Sequence, residues 1–400
     1  MSAATTAPAA ASGAPVDGSP LRVGVVGAGV ISKQYSASLA RLPQLRITAV
    51  SDLDTERAGA LAAEHAGARV LPLEQLLAAD DVDVVLNLTL PRTHADIALQ
   101  ALAAGKHVYG EKPLAMHVEQ GRQVVKAAAV SGLRVGCAPD TVLGTGVQSA
   151  RAVLDTGQIG VPHSATAFMT TPGHERWHPQ PDFYYQPGGG PLLDMGPYYV
   201  TSLVHLLGPV QRVVGVSWRP QQQRTIGSGP RAGESFEVAI DSSVAGVLVH
   251  ASGAVSTLVM SFDTWAARLP RIEVHGTGGS LSVPDPNHFD GSVQVYSAAS
   301  APAPSAEADH EANWREVGVR AGYVGAGRGY GLADLAIALG AGRAHRASDE
   351  VALHVLDVME SVQRAADTRS TVELSTTCER PEAVGEPVDL TAAPLHHLST

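Results

Sequence analysis

The stretch VGVVGAGVIS, residues 23–32, decides how the first third of this 400-residue chain folds. Its apolar start belongs to the run LRVGVV, short and β-branched, which reads as a buried strand. Gly27, Gly29 and Ser32 then match G-x-G-x-x-G, with Ser in the third place. In a dinucleotide site the first glycine permits a tight turn and the second lets backbone approach a pyrophosphate. The third position needs a small side chain for helix–strand packing. The helix expected next, KQYSASLARL, would aim its N-terminal N–H groups and positive dipole end at the phosphates. Gly27, Gly29, Val30 and Ile31 are therefore expected cofactor contacts. Glycine-rich turns are common, so the surrounding sequence has to carry the argument.

That surrounding sequence alternates. RITAVSD reads as a second strand ending in Asp52, about twenty residues past the glycines, where a carboxylate would hold ribose hydroxyls. Asp52 could instead cap a helix or belong to the turn SDLD. An Asp there repels the 2′-phosphate of NADP, and Arg57 is the nearest positive side chain, so NAD is expected over NADP. TERAGALAAEHA reads as a helix, DVDVVLNLTL as a strand and THADIALQALAAG as a helix stopped by Gly. KHVYGEKPL carries a short strand into a turn. Alternation at these lengths implies a parallel sheet with right-handed crossovers. Ligands then bind outside the carboxyl ends of the strands. Thr89, Pro91, His94, Glu111 and Lys112 fall at such ends and are expected on the cofactor side. A surface helix position is the competing reading of His94.

The bulk properties narrow the class. At about 150 residues per domain, this length suits two or more domains and a large core without staples. Two cysteines, Cys137 and Cys378, offer neither a disulfide framework nor a Cys-rich metal site. As reduced thiols they fit the cytoplasm. A net charge of −11 disfavours nucleic acid and anionic membrane surfaces. No apolar run approaches the roughly eighteen residues of a transmembrane helix. The opening MSAATTAPAAASGAPVDGSP has no Lys, Arg or Leu-rich core, so neither a secretory signal nor ordered structure is expected there. The expected organisation is a tail at 1–20 and a dinucleotide-binding domain at 21–140. A second domain follows at 141–375, its late helices returning to the first, and then a tail at 376–400.

HERWH, residues 174–178, fits H-E-x-x-H, in which two histidines one helical turn apart bind zinc. The flanks oppose the helix this needs. Pro172 and Gly173 precede it, and Pro179 pushes His178 out of the α region. No third ligand follows, so no metal is expected. Seven of the eighteen aromatic residues fall between 168 and 200: Phe168, Trp177, Phe183, Tyr184, Tyr185, Tyr198 and Tyr199. They are interleaved with His174, His178, Asp182 and Gln186 in a Pro/Gly-rich chain. This pattern reads as a loop lining a pocket for a polyhydroxylated ligand, with a core seam as the competing reading. His178 and Tyr185 are the substrate contacts expected from it. GPYYVTSLVHLLG then reads as a helix. VVGVSW, FEVAI, AGVLVHA, AVSTLVMSF, RIEVHG, GSLSV and SVQVY read as strands of an antiparallel sheet. Residues 297–313, SAASAPAPSAEADHEAN, read as a peripheral low-complexity loop.

Three stretches together resemble the glucose–fructose oxidoreductase and inositol dehydrogenase family, known as Gfo/Idh/MocA. They are VGVVGAGVIS, TLPRTHADIALQALAAGKHVYGEKPLA and GGGPLLDMGPYYVTSLVHLLGP. The middle stretch, ending in E-K-P, is the most specific. The late segment ADLAIALGAGRAHRASDEVALHVLDVME also looks like that family's last helices. The resemblance implies an α/β protein. A Rossmann dinucleotide-binding domain would be joined to a C-terminal α/β domain with an open, mostly antiparallel sheet. One sheet face would form the interface of a homo-oligomer, a dimer or tetramer.

The resemblance also implies chemistry. In such enzymes the Lys of E-K-P, here Lys112, lies near substrate and nicotinamide. Many members carry D-x-x-x-H with the His as acid/base. Here Asp194 is followed by Tyr198, as in some sugar ketoreductase branches. A Tyr base, with an ordinary pKa near 10, needs a neighbouring cation, which Lys112 would supply while polarising a developing alkoxide. Asp194, one turn earlier, would cap the helix or orient substrate hydroxyls. Lys112, Tyr198 and Asp194 are thus the expected catalytic residues. Lys112, His178, Tyr185, Asp194 and Tyr198 are the expected substrate contacts. The expected activity is reversible, NAD-dependent oxidation of a secondary hydroxyl on a sugar, glycoside or cyclitol. The competing reading is a noncatalytic sugar- or NAD-sensing protein on the same fold, which would not need both Lys112 and Tyr198.

Overall fold

The computed structural model describes residues 19–300 and 313–392. The expected N-terminal tail lies outside these residues except for Ser19 and Pro20, and so does most of the low-complexity loop. The chain opens with β1 (Leu21–Val26), α1 (Ser32–Leu39), β2 (Leu45–Ser51), α2 (Thr55–Ala63), β3 (Arg69–Val70) and α3 (Leu73–Ala78). β4 (Val84–Asn87), α4 (His94–Ala103), β5 (His107–Gly110), α5 (Val118–Ser131) and β6 (Val135–Cys137) complete the first unit. Its sheet runs in the order β3-β2-β1-β4-β5-β6, and every pairing is parallel. This order reverses direction beside β1, which creates the crevice where dinucleotides bind in such sheets. The strands read as continuous apolar runs because helices cover both faces. All four residues of β4 are buried.

The second unit begins with α6 (Thr145–Asp155), β7 (Pro162–Thr170) and α7 (Pro191–Leu207). Then come β8 (Val210–Trp218), β9 (Gln223–Thr225), β10 (Ser235–Glu237), β11 (Ser243–His250) and β12 (Val255–Ser261). β13 (Ile272–Gly276), β14 (Gly279–Val283), β15 (Val293–Ser297) and β16 (Arg315–Val317) follow. The chain closes with α8 (Tyr330–Ala341), α9 (Asp349–Thr368) and β17 (Val372–Glu373). Nine strands form one sheet in the order β16-β15-β14-β13-β7-β12-β11-β8-β17. Only the β7–β12 pairing within it is parallel.

One face of this sheet is covered by α7 and α9. Close approach of α9 needs Gly215, where a Cβ would stand 2.2 Å from the Val362 carbonyl oxygen. On the opposite face Val214, Val216, Trp218, Val247 and Val255 stay exposed. Their strands are adjacent, with Val247 opposite Val214. α9 also packs on α5 and β6, so it joins the two units.

The segment after β17 departs from the expected tail. Cys378, Val384 and Leu390 are buried. Arg380 donates to the His205 and Leu206 carbonyls, and Val384 N–H donates to Gln148. Gln44 of the first unit donates to the Leu390 carbonyl. Residues 376–392 are therefore a packed strap across both units. Its low periodicity hid this, because a strap is held by single long-range contacts rather than by a repeating face.

Candidate active site

The dinucleotide crevice is built at the carboxyl ends of β1, β2 and β4. Gly27 holds φ at +100°, and a Cβ there would lie 2.8 Å from the Leu88 carbonyl carbon. Only glycine fits that turn. A Cβ at Gly29 would meet nothing within 4 Å, so the space above the turn is open. Ser32 is buried and its hydroxyl donates to the Gly29 carbonyl at 2.7 Å, closing the turn in place of a third glycine. Asp52 accepts from Ala28 N–H at 2.6 Å and from Asp54 N–H at 2.8 Å. Its carboxylate thus lies against the glycine turn. Asp54, not Asp52, caps α2, accepting from Glu56 and Arg57. Val30, Leu53 and Leu90 follow β1, β2 and β4 as exposed apolar side chains. An open glycine turn, a carboxylate at the end of β2 and an apolar rim fit a bound dinucleotide.

Other expected cofactor residues divide. Thr89 and Pro91 lie in the exposed turn between β4 and α4, and Ile31 is half-buried at the start of α1. Glu111 is buried, accepting from the Tyr35 hydroxyl at 2.8 Å and from Lys112 N–H at 3.1 Å. It supports the turn that carries Lys112. His94 is the clear departure. It is buried, with Nδ1 2.7 Å from the Pro113 carbonyl and Nε2 3.0 Å from the Thr89 carbonyl. Both ring nitrogens are engaged by backbone, so His94 ties two turns together and presents no polar edge to a cofactor.

Beside the crevice four side chains from three segments meet. Lys112 follows β5. Its Nζ donates to the Asp194 carbonyl at 2.6 Å and to Asp194 Oδ1 at 3.0 Å. His174 Nε2 lies 3.0 Å from Asp194 Oδ2. Asp194 sits in the first turn of α7 but does not cap it; its carboxylate bridges Lys112 and His174. Burial raises the Asp194 carboxyl, but Lys112 and His174 outweigh it and bring the pKa down to about 2. Burial alone would lower the Lys112 ammonium, yet Asp194, Tyr198 and Glu111 hold it above its ordinary value. Lys112 is thus a fixed cation.

Tyr198 lies one turn further along α7, nearly buried. Lys112 Nζ stands 5.3 Å from its ring centroid, over the face of the phenol. The hydroxyl oxygen accepts instead from Arg328 Nη2 at 2.9 Å. Burial raises the Tyr198 pKa, and Lys112 and Arg328 pull part of that back. At rest Tyr198 is a neutral phenol. Tyr198 thus has two cations beside it: Lys112, the expected one, over its ring face, and Arg328, which the sequence did not point to, hydrogen-bonded to its oxygen.

The aromatic loop is anchored from behind. HERWH is not an α-helix but a short 3-10 turn over His174–Arg176. Glu175 is buried and pairs with Arg224 at 2.7 Å. Arg224 also pairs with Asp263 and donates to the Phe262 carbonyl at 3.1 Å. Tyr185 is fully buried. Its hydroxyl donates to Glu175, and the Arg224 guanidinium lies over its ring at 4.9 Å. Tyr185 is thus a core residue and not a substrate contact; for this side chain the core-seam reading holds. The His178 ring accepts from Gln180 N–H and packs against the Trp177, Phe183 and Tyr184 rings, while its backbone N–H donates to the His174 carbonyl.

The sequence reading placed Lys112, Asp194 and Tyr198 correctly as neighbours. It named His178, whereas His174 is the histidine that reaches Asp194, and it missed Arg328. His174 was visible as the other end of HERWH. The signal for Arg328 was a lone Arg between glycines, GAGRGY, directly ahead of α8.

Residues 21–138 match the model of an oxidoreductase family with an NAD-binding Rossmann fold. Residues 147–282 match the GFO/IDH/MocA C-terminal domain. The chain is 29% identical over 264 residues to 1,5-anhydro-D-fructose reductase of Ensifer adhaerens, covering 65% of this chain and 74% of that protein. It is 27% identical over 262 residues to inositol 2-dehydrogenase of Rhizobium meliloti strain 1021, covering 66% and 75%. A solved structure of levoglucosan dehydrogenase with NADH and L-sorbose superposes with a TM-score of 0.72 at 21% identity, over 90% of this chain and 100% of that one. The chain belongs to the GFO/IDH/MocA family of NAD-binding oxidoreductases.

Proposed function

We propose that this protein is an NAD-dependent dehydrogenase that reversibly oxidises a secondary hydroxyl of a sugar, glycoside or cyclitol. The observation that carries the reading is the junction of Lys112, Asp194, His174 and Tyr198 beside the dinucleotide crevice. Relatives named for anhydrofructose and inositol chemistry support the substrate class. NAD bound on the glycine turn would supply the hydride-transfer chemistry. Gly27, Gly29 and Ser32 would cradle its phosphates, with Asp52 on a ribose.

The chain's own groups divide the remaining work. An ammonium carries three donors, and Lys112 commits two to Asp194, leaving one for the substrate oxygen. Its fixed charge stabilises an alkoxide or a polarised carbonyl. The Asp194 carboxylate is acceptor-only, so its free lone pairs bind neighbouring hydroxyls and orient the ring. His174, held on Asp194 among the Trp177, Tyr184 and Phe262 rings, extends that polar edge along an apolar wall. Tyr198 gives its hydroxyl proton to the carbonyl oxygen as hydride reaches the carbon, and takes it back in the oxidising direction. The neutral resting phenol suits the reductive step without prior ionisation.

The test is absorbance of reduced nicotinamide with a panel of sugars, glycosides and inositols, with Lys112→Ala alongside. A signal lost in the variant supports the reading. NAD binding without turnover on any polyol refutes it and favours a sensor. We further propose a homo-oligomer through the exposed sheet face of Val214, Val216, Trp218 and Val247. Light scattering that gives a monomer mass at micromolar concentration refutes that assembly. Two buried, unpaired cysteines fit a reducing cytoplasm. Among the described residues no helix is long and apolar enough to cross a membrane.

A further inference from the structure

Arg328 reaches the site from the loop ahead of α8, far in sequence from every other member. Its side chain is 11% exposed and its charge is faced by Asp140, which is fully buried. That pair is not a tight salt bridge: Nη1 stands 3.9 Å from Asp140 Oδ1, and neither atom has a hydrogen-bond partner. Asp140 uses its other oxygen to accept from Gly329 N–H at 2.8 Å and Gly331 N–H at 3.0 Å. Asp140 therefore fixes the backbone next to Arg328 while leaving the guanidinium free to hydrogen-bond elsewhere. It does so on the Tyr198 oxygen, 2.9 Å from Nη2. The guanidinium carbon lies 5.2 Å from the Tyr198 ring centroid and 5.8 Å from that of Phe289. A group needed only to neutralise Asp140 would close on Asp140.

We propose that Arg328 is a positioning residue for Tyr198, filling one acceptor site on the phenol oxygen so that the hydroxyl proton points into the cleft and the phenolate is stabilised as it forms. This rests on the dehydrogenase reading above. The balance is simple. In reduction the Tyr198 O–H bond breaks, an O–H bond forms on the substrate, and hydride from reduced nicotinamide becomes the new C–H bond. The negative charge left on Tyr198 faces two cations, Arg328 by hydrogen bond and Lys112 across the ring. Arg328 cannot itself take the proton, since guanidinium does not deprotonate in proteins. It acts only through the tyrosine. The other titratable groups facing Tyr198 are Glu111, Asp194 and Tyr184.

The experiment compares wild type, Arg328→Met and Arg328→Lys in the oxidising direction, measuring kcat and KM against pH. Loss of one preorganised donor to a developing oxyanion costs about 100-fold in kcat. The Arg328→Met variant is expected to lose on that order, with substrate KM changed by less than about threefold on the same argument. Its ascending pH limb moves up by about one unit or more, because the phenolate loses a cation. Arg328→Lys is expected to recover part of both. An unmoved limb, or a change confined to KM, would overturn the proposal in favour of a structural or substrate-contacting role. A second reading does not depend on turnover: the phenolate absorbance of each protein minus that of its Tyr198→Phe counterpart. A higher Tyr198 titration in Arg328→Met is expected, and an unchanged one refutes the positioning role. If wild type turned over no polyol, only the dehydrogenase reading would fall, since this titration still tests the contact.

Discussion

Replacing Asp194 with Asn keeps the shape of the side chain and removes its charge. Lys112 and Asp194 come from different units of the fold, and their side chains are 17% and 21% exposed. Removing one partner of a buried pair strands the other, at a cost of about 3–5 kcal/mol. The carboxyl gives a second scale. Its depression from 3.8 to about 2 corresponds to roughly 2.5 kcal/mol at neutral pH. Because the folded pKa is the lower one, that contribution is present above about pH 4 and lost as pH falls through about 2. We expect Asp194→Asn to lose about 3 kcal/mol, since it strands the Lys112 ammonium, and Lys112→Met to lose somewhat less, since Asp194 keeps its contact with His174. The double variant leaves no stranded ion. Its loss should therefore fall short of the sum by about 2–3 kcal/mol. The assay is urea unfolding at neutral pH followed by circular dichroism. Additivity within about 0.5 kcal/mol would refute the reasoning, because it would show that the charges do not sense one another.

Three further outcomes follow from the same geometry. Arg224→Met strands the Glu175 and Asp263 carboxylates in the core behind the aromatic loop and should cost roughly 3–5 kcal/mol in urea unfolding; a loss under about 1 kcal/mol would show that the network is solvent-screened. Burial holds the His107, His205 and His354 imidazoles at about 4, 3 and 4, well below their unfolded value near 6.5. Folding stability from these groups is complete above about 6.5 and declines toward pH 4, at up to roughly 4 kcal/mol per pH unit if all three take protons on unfolding; a urea midpoint that stays flat across that range contradicts it. Asp52→Ser removes the charge that repels a 2′-phosphate and should raise kcat/KM for NADP relative to NAD by about tenfold or more; a wild-type enzyme that already prefers NADP would refute the NAD assignment.

The parts legible in sequence are those where one segment carries its own signal. β1 and the glycine turn could be read because an apolar run must be buried on both faces and only glycine takes the turn at residue 27. The same holds for β8 and β11 to β15, whose alternation reports an open sheet. β7 was missed, since in PHSATAFMT the buried positions are the small Ala165 and Ala167 with Met169, and mostly polar residues alternate with them, so no apolar β-branched run marks the strand. Lys112 and Tyr198 were found through motifs, not through geometry. Their actual relation, through Asp194 and Arg328, depends on side-chain directions that spacing does not encode. The choice between His174 and His178 turned on one turn of 3-10 helix, which aims the first at Asp194 and leaves the second among rings. Tyr185 and Tyr184 are adjacent in sequence, yet one is anchored on Glu175 in the core and the other faces His174. An aromatic cluster alone cannot say which ring lines a pocket. The strap at 376–392 has no periodicity, because its partners are single groups scattered over both units.

The central claim is that Tyr198 moves the proton while hydride passes between a polyol carbon and nicotinamide. The measurement that tests it most directly is steady-state turnover of Tyr198→Phe against wild type, on a substrate from the panel, read by reduced-nicotinamide absorbance. The variant removes one oxygen and keeps the ring that packs under Lys112. We predict a kcat lower by about 100-fold or more, the scale of a lost general acid, with substrate KM nearly unchanged. Turnover close to wild type with unchanged substrate binding would contradict the account and move the proton transfer to another group.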